Sequence, residues 1–334
     1  MSAAQLGDLS TTLIYAAMAA YAVALVAFAT DLSALGDRGP RGRRRRGAAI
    51  GMSTTVLGAA FHVAGVVARG LAAGRVPWAN MYEFTIVFSA VAVLVFLAVA
   101  RARDVRYLGS LVVGPALLAL GLAVSVLFVA ADGVQPALQS YWLVIHVSVA
   151  TIAVGILSVA AAFSVLQLLR SRRSESAAPA VGAVAFAEQA VAAGQVSGGD
   201  GGAAPTGVAV RGGDGSPAPA GLLARIREAL PAAVELERLA YRLNAVGFVL
   251  WTFTLVAGAI WAEAAWGRYW GWDPKEVWTF VIWVVYAGYL HARSTRGWSG
   301  GRAAVFALAG YVCVLVNFFV VNLVFTGLHS YSGL

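Results

Sequence analysis

The run Trp266-Gly267-Arg268-Tyr269-Trp270-Gly271-Trp272-Asp273-Pro274-Lys275-Glu276-Val277-Trp278 puts four tryptophans, a tyrosine and four charges into thirteen residues. It lies between two apolar segments, too polar to span lipid and too aromatic for an ordinary loop. One reading is an anchoring belt, since Trp and Tyr line the bilayer interface as single anchors. Belts rarely carry Asp-Pro-Lys-Glu between the rings, so the stronger reading is a flat aromatic platform for a large planar ligand. Four histidines, His62, His146, His291 and His329, offer nitrogen donors and suggest that this ligand carries a metal.

Thiolates are not the donors. The single cysteine, Cys313, sits in an apolar run beside Val312 and Val314, which excludes an internal disulfide, a Cys-x-x-Cys redox pair and a Cys-x-x-Cys-His attachment site within this chain.

The elements that must position these residues are membrane helices. Of 334 residues, 60% are hydrophobic and 12% charged, and apolar runs of about twenty residues recur from end to end. The pattern predicts an all-α polytopic membrane protein with spans near 11–30, 47–69, 82–100, 107–131, 142–169, 243–262, 277–292 and 303–327. Residues 1–170 then hold helices one to five. Residues 171–220, rich in Ala, Gly, Ser and Pro, cannot bury enough apolar surface to offset ordering and read as a disordered cytoplasmic linker. Residues 221–242 regain a helical rhythm with charges opposite Leu222, Leu223, Ile226 and Leu230, predicting an amphipathic surface helix. Residues 243–334 carry helices six to eight, with the tryptophan segment at 262–278.

Eight spans put both termini on one side. All of the 24 basic residues except Arg69, Arg75, Arg268 and Lys275 fall on the connections after spans one, three, five and seven. The positive-inside rule assigns those connections to the cytoplasm and the tryptophan segment and both termini to the exterior. The net charge of +8 reflects this placement: the arginines from Arg41 to Arg46 follow a span, where they set orientation and meet anionic lipid, and nucleic acid is not an expected partner. No basic residue precedes the first apolar run, so span one reads as a retained helix rather than a cleaved signal.

Depth sorts the histidines. His146 lies about four residues into span five from the exterior and His329 follows the outer end of span eight, whereas His291 lies about 21 Å below the external end of span seven at about 1.5 Å per residue. His62 falls in the outer half of span two. Two donors to one metal stand about 4 Å apart if each bond is about 2 Å, so His146 and His329 could share a metal while His62 and His291 should not. The alternative for any of them is a helix-to-helix hydrogen bond.

The string Trp266-Gly267-x-x-Trp270-x-Trp272-Asp273-Pro274-Lys275-Glu276 resembles the external "WWD" signature of heme-handling proteins in cytochrome c maturation. With Pro77-Trp78-Ala79-Asn80-Met81-Tyr82-Glu83, Gly327-Leu328-His329-Ser330-Tyr331 and the number of spans, the chain is similar over nearly its whole length to the CcsA/ResC family of system II, called CcsB in some bacteria.

The resemblance implies a multi-pass protein of the bacterial plasma membrane that exports or relays heme b, held non-covalently in transit. It would present the heme externally for covalent attachment to apocytochrome c, as part of a holocytochrome c synthase (heme lyase) with a ResB/CcsB-type membrane partner. His146 and His329 match the histidines flanking the external heme site, and His291 matches the transmembrane histidine, whose counterpart belongs to the partner. Trp266, Trp270, Trp272 and Trp278 would cover porphyrin, Arg268 and Lys275 would pair with propionates, and Asp273 would order the turn. A system I-type WWD heme-delivery protein, a bis-histidine cytochrome b-like electron carrier and a cofactor-free solute transporter are the alternatives.

Overall fold

The computed structural model describes residues 1–33, 41–131, 139–193, 224, 227 and 230–329. Its elements are α1 (Ala3–Ser33), α2 (Arg41–Ala73), α3 (Met81–Ala102), α4 (Gly109–Ser125), α5 (Tyr141–Ala193), α6 (Ala233–Trp266), α7 (Pro274–Arg296) and α8 (Gly300–Val324), with no strand among the described residues. Every predicted span coincides with a helix. Seven of them are long and apolar enough to cross a membrane; α7 is not among the seven, because Lys275, Glu276, His291, Arg293 and Arg296 near its ends lower its hydropathy.

Several boundaries differ from the expected ones. Helix α5 runs on to Ala193, into the segment read as linker, where alanine, the best helix former, predominates; residues 194–220 lie outside the described set. The charged stretch read as a separate surface helix joins α6, which begins at Ala233 and is continuous to Trp266; the greater part of residues 221–229 is also outside the described set. Helix α4 ends at Ser125, short of the predicted 131.

Local chemistry explains the ends that build the site. The αL residue Gly267, φ 71°, terminates α6, a conformation glycine adopts without a Cβ penalty. Pro274 at the first helical position and an Asp273/Glu276 capping box start α7. In α8 the α-helix gives way to a π-helical segment, Val316–Val320, before resuming at Val321–Val324.

Helix α1 lies along α2 and α4. Helix α3 bridges this group to α5, which packs along α6 and α8, and α7 closes against α6 and α8. The close approaches are made by small residues: a Cβ on Gly109 would stand 2.5 Å from the Phe28 ring, and one on Gly247 2.5 Å from Leu157.

At one end of the bundle the segments 74–80, 267–273 and 325–329 meet. The first of these is clamped by Glu83, fully buried, whose carboxylate accepts from Arg69 Nε at 3.0 Å, Arg75 Nη1 at 2.7 Å and the Ala79 N–H at 2.8 Å. Arg69 also donates to the Val129 carbonyl at 2.8 Å and lies over the Tyr82 ring. The opposite end is tied by Glu237, which pairs with Arg293 and accepts from the Gly300 N–H, while Gln167 donates to the Gly300 carbonyl.

Candidate functional site

Where the three segments meet, a cavity of about 190 Å³ opens between α3, α5, α6, α7 and α8. It extends from Tyr269, Trp270 and His329 at the bundle end down to Val154, Trp251 and Val314. His146 and His329, predicted at a common depth, both line it.

Each histidine is held through the same ring nitrogen. Nδ1 of His146 lies 2.9 Å from the Thr254 carbonyl oxygen, an acceptor only, so Nδ1 carries the proton and donates. Nδ1 of His329 lies 2.8 Å from Oδ2 of Asp273 and donates to that carboxylate. In both rings this makes Nε2 the nitrogen available to a metal, the arrangement that a metal-ligating histidine takes when its other N–H is bonded to a carbonyl or carboxylate. One ring touches both: Trp261, buried, is stacked on His146 at 5.9 Å and 12° and meets His329 edge-on at 5.4 Å. Trp266 also meets His329 edge-on, at 4.9 Å.

Asp273 is the hub of the outer rim. Its Oδ1 accepts from the Leu328 N–H at 2.7 Å and its Oδ2 from the Lys275 N–H at 3.2 Å, besides the His329 bond. Burial alone would push its carboxyl pKa up; the bonds from His329, Leu328 and Lys275 outweigh it and hold the pKa below the usual carboxylate value. Glu276 faces the other way, accepting from the Gly271 and Asp273 N–H groups at 2.8 and 3.1 Å.

The aromatic residues divide. Trp270 lines the cavity, Trp266 lies against His329, Trp278 is part-buried on α7 away from the cavity lining, and Trp272, in the left-handed conformation at φ 61°, is 75% exposed. They do not make a flat platform: Trp270 and Trp272 stand at 88° and Trp261 and Trp266 at 63°, the edge-to-face geometry that the ring quadrupole favours. Of the two cations, Lys275 lines the cavity, while Arg268 has its guanidinium over Gly271 and 3.8 Å from Glu276.

The other two histidines are elsewhere. His62 is buried between α1 and α2 with Nδ1 3.2 Å from the Tyr21 hydroxyl, a helix-to-helix contact. His291 is exposed near the far end of α7. The sequence reading missed Trp261 and Thr254, which lay inside an apolar run. The spacing Trp251, Thr254, Gly258, Trp261 was the available signal, because steps of three and four place all four on one helix face.

Among the described residues no three His, Cys, Asp or Glu side chains cluster as a metal site. Two histidine nitrogens in an aromatic cavity suit a metal whose remaining positions are already filled by its own ligand.

Residues 78–329 match the family model described as cytochrome C assembly protein, so the match runs from one cavity residue, Trp78, to another, His329. The chain is 37% identical over 282 residues to the cytochrome c biogenesis protein CcsA of Synechococcus elongatus, covering 79% of this chain and 82% of that one. It is 36% identical over 286 residues to CcsA of Synechocystis sp., with the same coverage of 79% and 82%. Among solved structures, the cytochrome c heme lyase CcmF shares the fold, with a TM-score of 0.60 at 16% identity over 96% of this chain and 47% of that one, so the chain spans about half its length. A bundle that is all-helical among its described residues, with seven helices there apolar enough to cross a membrane, matched over most of its length by these relatives, is a multi-pass membrane protein of cytochrome c biogenesis, and it belongs to the CcsA family of cytochrome c assembly proteins.

Proposed function

We propose that the cavity is a heme site, from which heme is presented for covalent attachment to apocytochrome c. One observation carries this reading: His146 and His329 line a single aromatic cavity, each with Nδ1 committed to an acceptor and Nε2 left for iron. Heme is the cargo, a macrocycle that brings four equatorial nitrogens and needs two axial ones. Trp261, Trp266 and Trp270 supply aromatic surface, and the cation Lys275 lines the cavity to meet its acid groups, while Arg268 stands outside the lining beside Glu276. Two neutral histidines would fill both axial positions, protecting the iron until the apocytochrome's own histidine displaces one of them. The thiols that add across the vinyl groups come from the apocytochrome, since Cys313 lies in α8.

The tryptophan end faces the exterior in this reading, supported by the concentration of arginines at the other end. With seven apolar spans, α7 makes the eighth crossing by virtue of its 23 residues and its place against α6 and α8. His291, with Phe280 and Val284 also exposed on α7, gives this helix an outward face where a ResB-type partner would supply a second histidine for an inner relay site.

Absorption spectroscopy of the purified protein tests the assignment. Heme added to the full chain should give a six-coordinate bis-histidine spectrum. His146→Ala and His329→Ala should each lose it and regain it with added imidazole. A spectrum unchanged in the double variant would overturn the reading.

A further inference from the structure

The α7–α8 wall of the cavity carries a polar group that the two histidines do not explain. Lys275 points its ammonium into this wall and donates to the Asn317 carbonyl and to Oδ1 of Asn322, each at 2.8 Å. Both acceptors are neutral. The nearby Asp273 carboxylate is committed to His329 and to two backbone N–H groups, including that of Lys275 itself. An ammonium drawn into this wall whose hydrogen bonds go to neutral acceptors is costly, and a carboxylate brought in by a ligand would offset that cost.

A second observation points the same way. Asn317 is 5% exposed, lines the cavity, and its side-chain oxygen has no hydrogen-bond partner. The two ends of an amide exchange by a half-turn, so this orphan end can equally present its NH₂ to an incoming acceptor. Asn317 lies in the π-helical segment of α8, a feature that recurs at functional sites. Lys275 keeps one ammonium proton after its two bonds, and Asn322 keeps its amide NH₂. Arg268, the other cation of the segment, already faces Glu276.

We propose that Lys275, Asn317 and Asn322 form a socket for one carboxylate of the cargo, resting on the reading of the cavity as a heme site. The socket selects a porphyrin with free acid side chains and turns that edge toward α7 and α8. The tryptophan run thus contributes a charge as well as rings to the cavity.

The test compares iron protoporphyrin IX with its dimethyl ester, titrated into the full-length protein in detergent and followed in the Soret band. The wild type should bind the free diacid about tenfold or more tightly than the ester, the scale of one charge-assisted hydrogen bond. Lys275→Met should remove most of that preference by weakening diacid binding while ester binding changes little. Asn317→Leu, which removes the amide and leaves the cation, should reduce the preference in part, and serves if Lys275→Met does not accumulate. Equal affinities for diacid and ester in the wild type, with the histidine-dependent spectrum present, would overturn the socket and leave the heme reading standing. Absence of a histidine-dependent spectrum with either porphyrin would remove both.

Discussion

Nδ1 of His329 donates to Asp273 across 2.8 Å, and the same carboxylate caps α7 through the Lys275 N–H and takes the Leu328 N–H. The end of the α8 segment and the start of α7 are therefore joined at one side chain. A Cβ on Gly327 would stand 2.3 Å from Asp273 Oδ1, so the tail can reach that carboxylate only with glycine at this position.

Asp273→Ala should lower stability by about 0.5–2 kcal/mol through the lost cap and weaken heme binding by about ten- to a hundredfold through the lost orientation of His329. Asp273→Asn keeps a capping oxygen and should recover most of the stability but not the full affinity. Thermal denaturation and heme titration separate the two effects. Equal affinity in the Ala variant and the wild type would show that His329 does not depend on this carboxylate.

Gly258 sets the position of the other histidine. A Cβ there would lie 2.8 Å from Cε1 and 2.9 Å from Nδ1 of His146, so Gly258→Ala should push the ring away from the Thr254 carbonyl. We expect a weakened, shifted Soret band in protein that still accumulates; a wild-type titration curve would mean the ring has room to move.

Trp270 and Trp272 should behave differently. Trp270→Ala removes a cavity wall and should reduce heme affinity, each aromatic contact being worth about 0.5–1.5 kcal/mol beyond area burial. Trp272 is exposed outside the cavity, and its Ala variant should bind heme nearly as the wild type does. The reverse order of effects would place the heme on the outer surface.

Glu83→Ala should destabilise the protein by about 3–5 kcal/mol, because buried Arg69 loses its counter-ion. The double variant Arg69→Met with Glu83→Met should be less unstable than either single replacement, as expected for a pair whose partners are both removed. Melting temperatures in detergent give the comparison, and strictly additive losses would deny the coupling.

Orientation is open to a direct check. After Cys313→Ala, a membrane-impermeant maleimide should label Val76→Cys in intact cells and Ser299→Cys only after lysis, since these exposed positions lie at opposite ends of the bundle. Labelling of Ser299→Cys in sealed cells would invert the assignment and put the cavity mouth in the cytoplasm.

The helices were legible because apolar runs of spanning length leave few alternatives. Depth counting brought His146 and His329 to the same level, where they line one cavity. Ring orientation was not legible: a row of tryptophans in sequence says nothing about whether the indoles lie flat or edge-on, and the structure sets them edge-on. Nor were long-range polar contacts. Lys275 meets Asn317 and Asn322 more than forty positions away, and Glu83 draws in two arginines from before its helix, pairings that depend on how helices are placed rather than on any local pattern.

The wide turn at Val316–Val320 also acts as a phase shifter. Because an α-helix advances about 100° per residue, one extra residue in a turn rotates everything beyond it by that angle relative to everything before it. The two ends of α8 therefore answer to different neighbours: the stretch before it keeps Ala303, Ala307 and Gly310 buried in the bundle, while the stretch beyond it turns Asn322 to Lys275. Deleting one residue within 316–320 would restore the regular winding with Asn322 still turned toward α7, whereas winding all the residues as a regular α-helix would swing Asn322 away by about 100° without altering a single side chain in the first half of the helix.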